Sequence, residues 1–255
     1  MKVRLNKGRL INLIFFLLIA ASMFSQQILL QNHIRETEVI IPYDSFVKIE
    51  TNIRYSELKD DVVETSGSGV LIGYTQNDRA LILTVNHMCN LPFESLIYAD
   101  TSPSLSNYKE IWIIDAQGGV HSATAIFNSI EYDLCILETG YFPGIPVRIA
   151  ETAPIPGTKY YNVAAPGGFF EPGMAPIFDG YYSGDVNYRG DNDSIFTIPA
   201  RGGSSGSPVT NNHGEIVSII HSALAEGEHI SVGCTWFELT DFINTYETLF
   251  NETLP

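Results

Sequence analysis

The 255-residue sequence predicts an all-β fold, and three observations carry that expectation. Apolar residues make up 45% of the chain, aromatics 11%, and 21 Gly and 13 Pro punctuate it, the balance of many short strands joined by turns. Runs such as Ala80-Leu81-Ile82-Leu83-Thr84-Val85 and Leu134-Cys135-Ile136-Leu137 are β-like, and each abuts a polar residue at its edge. No low-complexity segment and no repeat of solenoid period occurs, so the length serves one structural unit with a sizeable core.

The amino end carries a targeting pattern. Lys2, Arg4, Lys7 and Arg9 precede the apolar run Leu10 to Ala21, the basic and apolar regions of a secretory signal. Ala20-Ala21-Ser22 or Met23-Phe24-Ser25 would serve as the cleavage site, and the polar Ser25-Gln26-Gln27 interrupts the run, which favours cleavage. Left uncleaved, an apolar stretch of about 20 residues spans a bilayer and would tether the domain to the membrane. Residues 1–25 are therefore read as a signal peptide or a signal anchor, and the remainder as exported in either case. Residues 26–44 form a lead segment.

Formal charge is −15, and the first 25 residues hold four of the 14 basic residues and none of the 29 acidic ones, so the remainder carries 10 − 29 = −19. A surface that acidic repels nucleic acid, which is excluded as a partner.

Three segments carry chemistry. His87 follows the apolar run in Thr84-Val85-Asn86-His87-Met88-Cys89, Asp133 leads Leu134-Cys135-Ile136-Leu137, and Ser205 lies within Gly202-Gly203-Ser204-Ser205-Gly206-Ser207-Pro208-Val209. Taken singly, these are a strand-end histidine, a strand-start turn residue and a glycine-rich turn. Together they supply what acyl transfer needs: a hydroxyl nucleophile, a base that accepts its proton near neutral pH, and a carboxylate that fixes the base. Flanking glycines allow a tight turn in which successive backbone N–H groups converge on one oxyanion. The order His, Asp, Ser differs from that of subtilisins and α/β-hydrolases.

With these residues in place, the chain resembles the trypsin-like serine peptidases of the chymotrypsin superfamily, in the bacterial and viral branch of the high-temperature-requirement proteases and glutamyl endopeptidases. Ser66-Gly67-Ser68-Gly69-Val70-Leu71-Ile72 is similar to the first-barrel strand of that branch, Leu83 to His87 to its histidine strand, and Asp133 to Leu137 to its aspartate-leading strand. The stretch Pro156 to Gly168 is similar to the opening of its second barrel, and Gly203 to Val209 to its nucleophile loop.

The resemblance implies two antiparallel six-stranded β-barrels. Barrel one would occupy 45–138, a connection 139–155, barrel two 156–238, and an amphipathic helix 239–250, all within a peptidase domain of 45–255. In the helix, Phe242, Ile243, Tyr246, Leu249 and Phe250 fall at helical spacing and should pack on the barrels. A PDZ domain, common in the high-temperature-requirement proteases, is not expected after residue 240.

Two departures matter. Pancreatic-type relatives carry an Asp before the serine, where this chain has Ser204, so activation by an ion pair to a new amino terminus is not expected. They also place a disulfide-forming Cys directly after the histidine, where this chain has Met88 and then Cys89. The three cysteines, Cys89, Cys135 and Cys234, leave at least one unpaired, and all are read as small buried hydrophobes.

The expected activity is peptide-bond hydrolysis by His87, Asp133 and Ser205, with an oxyanion hole from Gly203, Ser204 and Ser205. The substrate is a polypeptide, and no metal or organic cofactor is required. Pro199, His221 and Ser222 would line the substrate pocket. Pro199 stands where relatives specific for Lys or Arg carry an Asp, so a small or apolar residue is the favoured substrate side chain. An acidic one is the alternative, because glutamyl endopeptidases use a His on the pocket strand, one position before His221 by direct counting. The rival functions are a non-catalytic peptide binder of the same fold and an exported serine esterase.

Overall fold

The computed structural model describes residues 18–27, 39–54, 62–90, 108–188, 191–224 and 229–255. Residues 18–27 are helical, while the rest of the expected signal or anchor run lies outside the described residues. Among the described residues no helix is long and apolar enough to cross a membrane.

Twelve strands follow. Barrel one holds β1 (Phe46–Arg54), β2 (Val62–Tyr74), β3 (Ala80–Val85), β4 (Tyr108–Asp115), β5 (Val120–Ser129) and β6 (Leu134–Thr139), closed in the order β1-β2-β3-β6-β5-β4. Barrel two holds β7 (Lys159–Val163), β8 (Ile177–Tyr188), β9 (Asp191–Phe196), β10 (Pro208–Thr210), β11 (Ile216–Ala223) and β12 (Ser231–Cys234), closed as β10-β11-β12-β9-β8-β7. The expected all-β class with two six-stranded antiparallel barrels is borne out.

Closure explains the sequence pattern. A closed sheet has no edge to protect, and its inward row must fill a dry interior. Val47, Ile49, Leu71, Ile82, Ile111, Ile113 and Leu137 fill barrel one, while Tyr160, Tyr182, Phe196, Ile198, Val209 and Val217 fill barrel two. Every residue of β3 is buried, one face against the interior and the other against the second barrel and the carboxy-terminal helix.

That helix runs from Trp236 to Phe250 and begins three residues before the expected start. Thr235 caps it: its hydroxyl accepts the Glu238 amide while the Glu238 carboxylate accepts the Thr235 amide, which satisfies two end groups reciprocally. Leu239, Phe242, Ile243 and Tyr246 are buried, but Leu249 and Phe250 are exposed, contrary to expectation, and Phe250 reaches barrel one through an edge contact with Phe127. Phe250 still stacks on Tyr246.

Two of the three cysteines are not simple hydrophobes. Cys89 and Cys135 form a disulfide across 46 residues of sequence, and only Cys234 is free and buried. Sequence spacing could not pair them, since β3 and β6 are neighbours only once barrel one has closed, with Thr84 opposite Cys135.

One inward position is costly. Lys109 shares its strand face with Ile111 and Ile113, and its Nζ is buried with no hydrogen-bond partner among the described residues. Burial lowers its pKa from the ordinary 10.5 to about 8.

Loop-closure entropy assigns the disulfide about 4 kcal/mol for a loop of this size. Replacing both Cys89 and Cys135 with Ala should therefore lower the unfolding free energy by that order in denaturant titration, and a loss below about 1 kcal/mol contradicts the assignment. Lys109→Met should raise the melting temperature. Because the folded pKa is depressed, the cost is full below about pH 8 and fades as pH rises toward 10.5. The gain should therefore be large at pH 7 and vanish near pH 10.5, and a pH-independent gain refutes the cause.

Candidate active site

β3 ends at Val85 and the chain turns at once into a four-residue helix, Asn86–Cys89, which lifts His87 to the barrel rim. The neighbouring strand β6 begins just after Asp133, so the two residues meet at adjacent strand ends. Asp133 has a positive φ of 48°, a left-handed turn conformation that Asp tolerates better than bulkier residues.

That turn aims both carboxylate oxygens at the histidine. Oδ1 accepts the His87 backbone N–H at 2.9 Å, and Oδ2 accepts Nδ1–H at 2.7 Å. The Asp133 carbonyl accepts the Asn86 N–H at 3.0 Å. With Nδ1–H engaged, the ring presents Nε2 as its acceptor. The disulfide lies two residues beyond each partner and ties the histidine helix to the aspartate strand.

Ser205 lies in a turn between Ala200 and β10. Its hydroxyl donates to the His221 carbonyl at 3.4 Å; among the described residues it makes no hydrogen bond to His87. The structure thus joins His87 to Asp133 and leaves the Ser205 hydroxyl turned toward the backbone of β11. Ser207 is a poor competitor for the same role, being buried with its Oγ accepting from Asn162 Nδ2 at 2.9 Å.

The nucleophile loop is clasped to barrel one by Ser68, which sequence reading treated only as part of a strand. Ser68 N–H donates to the Ser205 carbonyl at 2.7 Å, and its hydroxyl donates to the Gly203 carbonyl at 2.8 Å while accepting the Ala165 N–H at 3.0 Å. The Ser68 carbonyl accepts the Thr84 hydroxyl at 2.8 Å. Gly206 makes this approach feasible: a Cβ there would lie 2.0 Å from the Ser68 oxygen, and its φ is 87°. The alternation Ser66-Gly67-Ser68-Gly69 was the available signal, because glycines in a strand mark close backbone approach.

Of the three residues expected to form an oxyanion hole, two have available amides. Among the described residues no hydrogen bond takes up the N–H of Gly203 or Ser205. Ser204 is corrected: its N–H donates to the Arg201 carbonyl at 2.8 Å and its hydroxyl accepts the Arg201 N–H at 3.2 Å, so it closes the turn.

The expected substrate pocket is not brought together. Pro199 lines a largely apolar cavity of about 610 Å³ with Pro166, Phe169, Phe178, Gly202 and His229. His221 instead faces a cavity behind Asp133, and its Nε2 lies 3.1 Å from Asp193 Oδ1. That imidazole already has an acidic partner within the protein, which removes the basis for reading an acidic substrate with it. Ser222 is exposed on β11. The register explains the difference: a bulge between Ile220 and Ser222 redirects His221. Among the described residues no group of three or more His, Cys, Asp or Glu side chains is arranged to hold a metal ion.

Comparison with known proteins gives this geometry its context. No curated protein matches the chain significantly. Among solved structures the fold is similar to the Rv3671c protease from M. tuberculosis in its active form, with TM-score 0.60, 16% identity, and 80% of this chain and 81% of that chain covered. It is also similar to the serine endoprotease from Yersinia pestis, with TM-score 0.59, 18% identity, and 80% and 63% covered. These identities show a shared fold. The trypsin-like peptidase domain matches residues 67–219, more than half the chain and inclusive of His87, Asp133 and Ser205. The chain therefore belongs to the trypsin-like peptidase family and is a serine endopeptidase.

Proposed function

We propose that the protein is an exported endopeptidase that cleaves polypeptides through an acyl-enzyme on Ser205. The observation that carries this reading is the two-oxygen grip of Asp133 on His87, which holds the ring with Nε2 as the free acceptor. When substrate is bound, the Ser205 hydroxyl rotates from the His221 carbonyl to Nε2 and attacks the scissile carbonyl carbon as His87 takes its proton. Asp133 stabilises the imidazolium that forms. The negative charge on the former carbonyl oxygen is met by the N–H groups of Gly203 and Ser205; loss of one such donor costs on the order of 3 kcal/mol of barrier. His87 then protonates the leaving amine, the C–N bond breaks, and water activated by the same imidazole hydrolyses the Ser205 ester.

Export is supported by two independent features. Residues 1–25 have the basic and apolar pattern of a secretory signal or anchor. The Cys89–Cys135 disulfide fits an oxidising compartment. The apolar walls around Pro199 support an apolar substrate side chain.

One observation favours a second reading, a peptide-binding relative without turnover: the Ser205 hydroxyl is engaged by a backbone carbonyl and not by His87. Fluorophosphonate labelling separates the two. The wild type should label at Ser205 and hydrolyse casein, with p-nitrophenyl esters as the control for esterase activity. Ser205→Ala should abolish labelling and reduce turnover by at least about a thousandfold, with an unchanged melting temperature. A wild type that stays unlabelled, or an inactive Ser207→Ala beside an active Ser205→Ala, contradicts the proposal.

A further inference from the structure

We infer that Asp193 and His221 form a positioning pair that holds the Ser205 loop in register for reaction. The inference rests on the reading of Ser205 as nucleophile and adds two residues that act on its loop through β11.

Strand β11 is the direct support of the nucleophile loop. Gly206 N–H donates to the Ile220 carbonyl at 2.7 Å, Ile220 N–H donates to the Ser207 carbonyl at 3.0 Å, and the Ser205 hydroxyl reaches the His221 carbonyl. Yet β11 is irregular at this point. Ile220 pairs with Gly233 and Ser222 with Val232, so His221 is the extra residue of a bulge on the β12 ladder. A bulged residue is left unpaired and its strand bends locally, which leaves the position of its carbonyl to be set by something other than the sheet.

The side chain supplies that restraint. His221 Nε2–H donates to Asp193 Oδ1 at 3.1 Å. Asp193 is a firm anchor: it is buried, and its own backbone sits in the regular ladder of β9 against Cys234 of β12 and Val186 of β8. The groups facing the pair are Glu131, Asp133, Cys234 and Glu238, which line the same cavity of about 360 Å³. Tyr132 lines the same cavity but donates its hydroxyl to Asp241, and among the described residues Asp193 is the carboxylate that bonds the imidazole. Asp193 lies on the face of β9 opposite the core residue Phe196 yet is buried, where a carboxylate is unfavourable without a partner, and the bond to His221 supplies one.

The consequence is geometric. A fixed carbonyl at residue 221 fixes the loop atoms that rest on it, and displacement of a reacting group by about 1 Å costs up to a hundredfold in rate. The side chains of the pair touch no reacting atom and act through the backbone of β11, whose His221 carbonyl accepts the Ser205 hydroxyl.

Steady-state peptide hydrolysis, the rate of fluorophosphonate labelling and the melting temperature would be compared for the wild type and for Asp193→Ala, Asp193→Asn, His221→Ala and His221→Gln. Asn keeps an oxygen acceptor and Gln keeps an N–H donor, so each preserves a bond across the gap. The alanine variants should lose about tenfold in kcat and in labelling rate with KM within about twofold, and the Asn and Gln variants should recover to within about threefold of wild type. Alanine variants with wild-type kcat, a loss confined to KM, or conservative variants as slow as the alanine ones at unchanged melting temperature would each overturn the inference. If the alanine variants fail to fold, Asp193→Glu, which displaces the acceptor by one methylene, replaces them with the same expected loss. A wild type that does not label defeats the nucleophile reading itself, whereas a labelling wild type beside unaffected variants defeats only the positioning pair.

Discussion

Everything in this site depends on how two closed barrels come to share one set of reacting groups. A closed barrel offers no sheet edge, so the second barrel cannot extend the first by strand pairing. The junction is made instead by side chains packed between β3 and β11 and by hydrogen bonds, of which those of Ser68 reach the nucleophile loop. Its N–H, hydroxyl and carbonyl together engage Ser205, Gly203, Ala165 and Thr84, and Ser68, Ala165 and Thr84 are fully buried. Each such bond is worth about 1 kcal/mol net, but an orphaned partner in a dry contact costs about 1–3 kcal/mol, so the clasp is enforced more by what its loss would leave unpaired than by its own strength.

Two further restraints converge on the same place. On the barrel-one side, the Asp133 turn and the Cys89–Cys135 bridge hold His87 through its backbone, its ring and the residue two beyond it. On the barrel-two side, β11 carries the loop from beneath through Ile220 and His221. In the proposed mechanism the Ser205 hydroxyl turns from the His221 carbonyl to the imidazole within this frame. Rigid support for a single mobile rotor fits catalysis that relies on preorganised geometry.

What the sequence disclosed follows from how local each feature is. His87 and Asp133 were legible because each borders an apolar β-like run, and Ser205 because glycines flank it. The two barrels followed from their order and from family resemblance. Features fixed by contacts between distant segments were not legible. The partner of Cys89 depends on β3 meeting β6, and the partner of His221 on a bulge that turns its ring toward β9. Ser204 looked like an oxyanion donor because it sits between two residues that have free amides, but the tight turn from Arg201 consumes its N–H. Asp193 gave a faint signal, a charged residue within a strand that has to face a partner.

The account stands most directly on Ser68. The decisive measurement is the second-order rate at which a fluorophosphonate labels Ser205 in Ser68→Ala, taken beside its melting temperature. With the hydroxyl gone, the Gly203 carbonyl and the Ala165 N–H lose their shared partner, and the Gly203–Ser204 peptide that leads into Ser205 is released from its fixed direction. The rate should fall by about tenfold or more while the fold stays intact, in line with the loss of a preorganised donor. A Ser68→Ala protein that labels at the wild-type rate would show that the nucleophile loop holds its shape without barrel one, and that the clasp is not what assembles the site.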